Sequence, residues 1–164
     1  MNYQKERTAK SNCFAHPHQL HSSTHSNAPP PNPHTCFTPC RFTQLLSGSG
    51  WLVRKGKSYV NQSADIDPNS GFATEKAPRT AIGLMHDGSL VSVAVDGVEK
   101  TKQGPGLAEF AELLVALGAR EAMNLDGGGS TTAVYKGQVF NVPTCHDTPD
   151  PCQRDVTTIT CIKH

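Results

Sequence analysis

Met123-Asn124-Leu125-Asp126-Gly127-Gly128-Gly129-Ser130-Thr131-Thr132 places an acid before three consecutive glycines and three hydroxyl residues after them. Three adjacent glycines are hard to explain as packing, because each costs backbone entropy and offers no side chain to bury. They suit a chain that turns through unusual dihedrals, or a backbone that a ligand approaches closely. Apolar Ala122, Met123 and Leu125 lead in, and Thr131 to Tyr135 lead out with high strand propensity, so the stretch reads as strand, glycine loop, strand. Successive backbone N–H groups in such a loop can cradle an anion. A carboxylate beside an anion cradle points to chemistry; the plainer alternative is a glycine-rich hairpin in which Asp126 caps the turn. A nucleotide P-loop is excluded, since no Gly-Lys-Ser/Thr closes the loop and no helix signal follows it.

Upstream of this stretch, Leu107, Phe110, Leu114 and Leu117 recur at helical spacing, which predicts one packed helix from about Gly106 to Leu117 with Gly118 as its C-cap. Before it, Arg79–Leu84 and Leu90–Val95 read as strands joined at His86-Asp87-Gly88-Ser89, and Asp96-Gly97 turns the chain again. Trp51–Val53 and Ser58–Val60 flank a hairpin turn, and residues 64–77 read as a polar loop. Asn61-Gln62-Ser63 is a glycosylation sequon on expected surface. Downstream, Thr131–Tyr135 and Gln138–Val142 form a second hairpin around Lys136-Gly137, and the alternation of residues 156–162 predicts a closing strand. Between these, Cys145 and Cys152 are close enough in sequence for a disulfide, with two free thiols as the alternative. Cys161 has no obvious partner.

Composition divides the chain. All 14 glycines lie after residue 47, whereas residues 11–40 hold six of the 12 prolines, five of the eight histidines and three of the six cysteines. Residues 1–41 therefore read as a low-complexity, disordered tail, and residues 42–164 as the domain. Cys13, His16, His18, His21, His25, Cys36 and Cys40 could be imagined as zinc ligands, but their spacing matches no usual ligand pairing, and no metal site is expected. A net charge of +1 with few aromatics gives no reason to expect nucleic acid as a partner. No run of about 18 apolar residues suggests a membrane span, and Met1–Arg7 lacks the apolar stretch of a signal peptide.

Four blocks, Gln44–Gly48, Trp51–Arg54, Arg79–Gly83 and Asn124–Ser130, occur in the same order in phosphodiester glycosidases, and residues 42–163 resemble that family. The spacing of Cys145, Cys152 and Cys161 is also similar. The resemblance implies an α+β fold of mixed, mostly antiparallel sheets with one packed helix. It implies removal of α-linked N-acetylglucosamine from a phosphate, which in animal members exposes mannose 6-phosphate on glycoproteins. No cofactor is implied. The substrate is a glycan or glycoprotein phosphodiester, and the setting is the secretory pathway, in the Golgi lumen or outside the cell. Family members carry a further front portion with an Asn-Gly-aromatic motif and an early cysteine that pairs with the last one. Residues 1–41 do not resemble it, so the chain is expected to hold the C-terminal portion of an incomplete domain with exposed strand edges.

The chemistry suits these residues on its own terms. Cleavage at the sugar carbon leaves a phosphomonoester whose second pKa is near 6. Such a group needs little general acid; it needs a cation and oriented donors where charge builds up. Arg79 has the fork geometry for phosphate, although a strand-end surface charge is the plainer reading. Asp126 is the nucleophile or general base. Asn124, Gly127, Gly128, Gly129, Ser130 and Thr131 are expected to contact substrate, and Thr132 is expected to be a β-prone core position. Sequence does not identify a second carboxylate; Glu75 is only a position in a neighbouring loop. A non-catalytic sugar-phosphate-binding remnant is the competing function.

Overall fold

The computed structural model describes residues 2–6 and 46–161, so the histidine- and cysteine-rich segment and its imagined zinc ligands lie outside the described residues. Six strands form one sheet: β1 (Asn2–Glu6), β2 (Trp51–Arg54), β3 (Lys57–Ser58), β4 (Arg79–Met85), β5 (Leu90–Val95) and β6 (Ala119–Leu125). Their order across the sheet is β1-β5-β4-β6-β2-β3, and every pairing is antiparallel. A separate two-stranded ribbon joins β7 (Val134–Tyr135) to β8 (Gln138–Val139). The architecture is α+β, dominated by antiparallel sheet.

Strand β4 sits centrally because its side chains alternate between buried and half-buried along its whole length, with Ala81 and Met85 facing the core. Gly83 lies directly opposite Ala122 of β6 and Val91 of β5. That face is covered by α2 (Leu107–Ala116), whose Leu107, Phe110, Ala111 and Leu114 are fully buried. The helix forms where the apolar stripe predicts. Glu109 accepts the Gly106 N–H at 2.9 Å to close its first turn, and Gly118 follows its end at φ +90°. Leu52, Val53, Val60 and Ile66 complete the cluster from the β2–β3 side.

Four local expectations change. Asn2–Glu6, read as part of the tail, pairs along β5 from Asn2 opposite Ala94 to Glu6 opposite Leu90. Strand addition needs only backbone donors and acceptors on a free edge, which composition does not reveal. The polar loop 64–77 contains a short helix, α1 (Gly71–Thr74), capped by Ser70 Oγ accepting the Ala73 N–H at 3.2 Å. Thr131 and Thr132 do not continue as strand, because residues 128–130 close a 3-10 turn and Thr131 N–H donates to Gly128 O at 3.0 Å. Residues 156–161 form no strand. Their alternation finds no edge to pair with among the described residues, and Val156 and Ile159 stay exposed.

Candidate functional site

The site gathers where β6 ends, β4 begins and β5 ends. Adjacent antiparallel strands place those termini side by side, with Thr80 opposite Leu125 and Arg79 opposite Val95. Asp126 leaves β6 exposed to solvent, and its Oδ1 accepts the Gly127 N–H at 3.0 Å. The loop is then stitched to β4 by Gly128 N–H donating to Pro78 O at 3.1 Å. Gly127 and Gly128 therefore already use their N–H groups, whereas the buried Gly129 has no such bond among the described residues.

The glycines are required by their surroundings. Gly128 adopts φ +55°, and a Cβ there would stand 2.4 Å from Glu99 Oε1. A Cβ on Gly129 would stand 2.4 Å from Cys145 Sγ. The loop is thus pressed between the carboxylate of Glu99 and the Cys145–Cys152 disulfide, which forms as the spacing suggests. Arg154 N–H donates to Gly129 O at 3.2 Å and holds the segment after the disulfide against the loop.

Arg79 is not a surface charge. It is 3% exposed, and its Nη2 donates to Phe72 O at 2.9 Å and Glu75 O at 2.7 Å. Those are carbonyls at the end of α1, which a helix this short cannot satisfy internally. The guanidinium also lies 5.3 Å from the centre of the Phe72 ring. Burial lowers its pKa, opposed by the nearby charges of Glu75 and Glu99. Its fork faces main chain on this side, so its influence at the site is as a fixed positive charge that holds α1 and Glu75 in place.

Among the other expected residues, Asn124 is 1% exposed, and its Oδ1 is buried with no hydrogen-bond partner among the described residues. Thr131 is equally buried; its Oγ1 accepts from Thr80 Oγ1 at 3.0 Å and its carbonyl from Asn141 Nδ2 at 2.6 Å. It braces the loop from behind. Thr132, expected in the core, is half-buried and bonds Gly129 O at 2.9 Å. Ser130 is half-buried, and Asn61 stands exposed in a 3-10 turn, accessible as a sequon should be. Cys161 is exposed and has no disulfide partner among the described residues.

Two residues that sequence reasoning passed over enter here. Glu99 begins a 3-10 turn after β5, and His146 lies inside the disulfide loop. His146 Nε2 is 2.5 Å from Glu75 Oε1 and 3.7 Å from Glu99 Oε2. Only the position of His146 between two bridged cysteines could have drawn attention to it; nothing in the sequence marks Glu99. Among the described residues no His, Cys, Asp and Glu cluster is arranged to hold a metal ion, and no helix is long and apolar enough to cross a membrane.

Comparison with known proteins gives this geometry a family. A family model described as phosphodiester glycosidase matches residues 3–163. N-acetylglucosamine-1-phosphodiester alpha-N-acetylglucosaminidase of mouse is 37% identical over 131 residues, and that of human 38% identical. Each alignment covers 74% of this chain and 25% of the relative, so the chain spans about a quarter of the length of the curated relatives it matches. The structure of the zebrafish enzyme's catalytic domain, auto-inhibited by pro-peptide, superposes with a TM-score of 0.58 at 31% identity, covering 68% of this chain and 39% of that one. With the family match running almost from end to end, this chain belongs to the phosphodiester glycosidase family.

Proposed function

We propose that this protein hydrolyses a sugar phosphodiester, releasing α-linked N-acetylglucosamine from phosphate. The observation that carries the reading is Asp126, an exposed carboxylate at a strand end, backed by a glycine loop that side chains could not enter. In this reading Asp126 attacks the sugar carbon or supports the positive charge that develops there as the bond to phosphate breaks. The Gly129 N–H and Ser130 meet the phosphate or a sugar hydroxyl. The buried Oδ1 of Asn124 accepts a hydrogen bond that the described residues do not supply. Arg79 and Thr131 hold the frame, and the Arg79 charge favours the departing phosphomonoester. The names of the mouse and human relatives support the choice of N-acetylglucosamine. The exposed sequon at Asn61 and the Cys145–Cys152 disulfide support a secretory-pathway setting, with glycoprotein phosphodiesters as substrates and mannose 6-phosphate as the exposed product group.

The test is hydrolysis of an N-acetylglucosamine-α-phosphodiester by the purified chain beside Asp126→Asn. Turnover in the first and a loss of at least about 100-fold in the second is expected. A folded chain that binds N-acetylglucosamine 1-phosphate without turnover would favour the second reading, a sugar-phosphate-binding protein. That alternative draws on the engagement of Arg79 by carbonyls, which leaves the phosphate one cation fewer.

A further inference from the structure

Three segments far apart in sequence meet beside the glycine loop. Glu75 follows α1, Glu99 follows β5, and His146 comes from the disulfide loop. The imidazole is 2.5 Å from Glu75 and 3.7 Å from Glu99. Exposure separates their roles: the side chain of Glu99 is 12% exposed, that of Glu75 39% and that of His146 59%. Glu99 is the inner member, lying where a Cβ on Gly128 would be. The outer member reaches solvent. The assembly is held from several directions. Thr144 Oγ1 donates to Gly97 O at 3.1 Å, and Lys100 Nζ donates to Thr148 O at 2.6 Å, fastening the turn that carries Glu99 to the loop that carries His146.

A stapling role alone does not account for this. An exposed ion pair such as Glu75–His146 contributes little to stability. Drawing a second carboxylate down to 12% exposure costs desolvation, and it requires a residue without a side chain at position 128. The arrangement makes sense if Glu99 must face the place where the loop holds substrate.

We propose that Glu99 is the second carboxylate of the hydrolytic site, the base for the attacking water, and that His146 positions it. This rests on the reading of the chain as a phosphodiester glycosidase. In a direct displacement, the oxygen of water bonds to the sugar carbon as Glu99 takes one of its protons. The bond from that carbon to the phosphate oxygen breaks, and its electron pair leaves with the phosphomonoester. If Asp126 first forms a glycosyl ester, the same proton transfer belongs to the second step, in which the ester bond breaks and its pair returns to Asp126. Either way the carboxyl of Glu99 then returns its proton to water, since Nε2 of His146 lies 3.7 Å away and is already hydrogen-bonded to Glu75. His146 is thus a positioning residue. Glu75, Glu99 and Asp147 face it, with Arg154 paired to Asp147 and Arg79 behind the two glutamates. The hydrogen bond that its ring donates to Glu75 raises its pKa most; desolvation opposes it, and the charges of Glu99, Glu75 and Asp147 add smaller increases.

The experiment uses the full chain and the methyl phosphodiester of N-acetylglucosamine. Glu99→Gln should lower kcat by at least about 100-fold with KM within about two-fold, the range of a lost general base. Glu99→Ala should regain turnover in azide and yield the glycosyl azide, which a merely structural residue would not do. His146→Gln should reduce kcat less and flatten the pH profile. In an NMR titration, the His146 midpoint should fall in both Glu75→Gln and Glu99→Gln. Wild-type kcat in Glu99→Gln, with Asp126→Asn inactive, overturns the proposal and leaves the glycosidase reading intact. A wild type that turns nothing over overturns both. Equal urea midpoints for wild type and Glu99→Gln exclude misfolding as the cause of lost turnover, and Glu99→Asp provides a second variant that keeps the carboxylate.

Discussion

At the scale of single residues, the glycine loop and Arg79 share one property: each is dictated by what surrounds it. Gly128 needs a left-handed dihedral and leaves room for Glu99 Oε1. Gly128→Ala should therefore lose about 1–2 kcal/mol from the backbone alone, before any displacement of the carboxylate. We expect a lower urea midpoint with an unchanged slope, and a loss of turnover larger than the loss of stability explains. An alanine variant as stable and active as wild type would show that the backbone relaxes freely. Arg79 illustrates what residue identity cannot convey. An arginine at a strand start is normally solvent-exposed, yet here a helix too short to satisfy its own carbonyls lies over it, and both Nη2 bonds go to Phe72 and Glu75. That outcome depended on α1, which the polar run 64–77 concealed behind turn residues. The place of Asp126, by contrast, was legible: an acid before three glycines reads as a strand end, and β6 stops at Leu125.

At the scale of elements, α2 and the central strands were readable because burial writes itself as a period. Leu107, Phe110 and Leu114 lie on one helix face, and the alternation along β4 holds for all its residues. The same period misled at residues 156–161. Alternation reports only that a strand is possible; a free edge beside it decides whether one forms. The disulfide loop shows the reverse, a segment with no periodicity that the Cys145–Cys152 bridge and the Lys100–Thr148 bond nonetheless fix in place. It carries His146, so its constraint should matter twice. Opening the bridge with Cys145→Ala/Cys152→Ala releases a loop of eight residues, for which chain-entropy arguments give about 2.5 kcal/mol. We expect a fall in thermal midpoint together with a fall of the His146 NMR midpoint toward that of a free imidazole, as Glu75 loses its partner. A His146 titration unchanged by loss of the bridge would mean that Glu75 alone holds the ring. Sign follows direction: a raised histidine pKa adds stability that is full below the unfolded value near 6.5 and disappears as pH rises through the folded value. Glu75→Gln should remove the largest share of that pH dependence and leave the part due to Glu99 and Asp147.

At the scale of the whole molecule, the sheet has β1 and β3 as its two edge strands. The outer edge of β5 is paired by β1, and β3 on the other side is only two residues long, with Lys57 in it and Lys55 just before it. Short, lysine-bearing edges resist strand-to-strand association. The exposed apolar surface lies elsewhere. Val134 is 60% exposed, Tyr135 52%, Phe140 42% and Val142 53%, all on the β7–β8 ribbon and the residues just after it. The ribbon itself forms because Lys136 and Gly137 take the left-handed dihedrals that a two-residue turn demands, but it packs little of its own surface. Soluble monomers seldom leave a contiguous apolar patch uncovered. Self-association should accordingly run through side chains on this ribbon rather than through strand edges. Sedimentation across about 5–200 µM should show concentration-dependent association of the wild type. Val134→Lys with Val142→Lys should suppress it, leaving the unfolding midpoint within about 0.5 kcal/mol because both residues are exposed. Lysines added at the β3 edge, beside Ser58, should have no such effect. Association that persists in the ribbon variant and yields to the edge variant would place the contact at the strand edge and not on the ribbon.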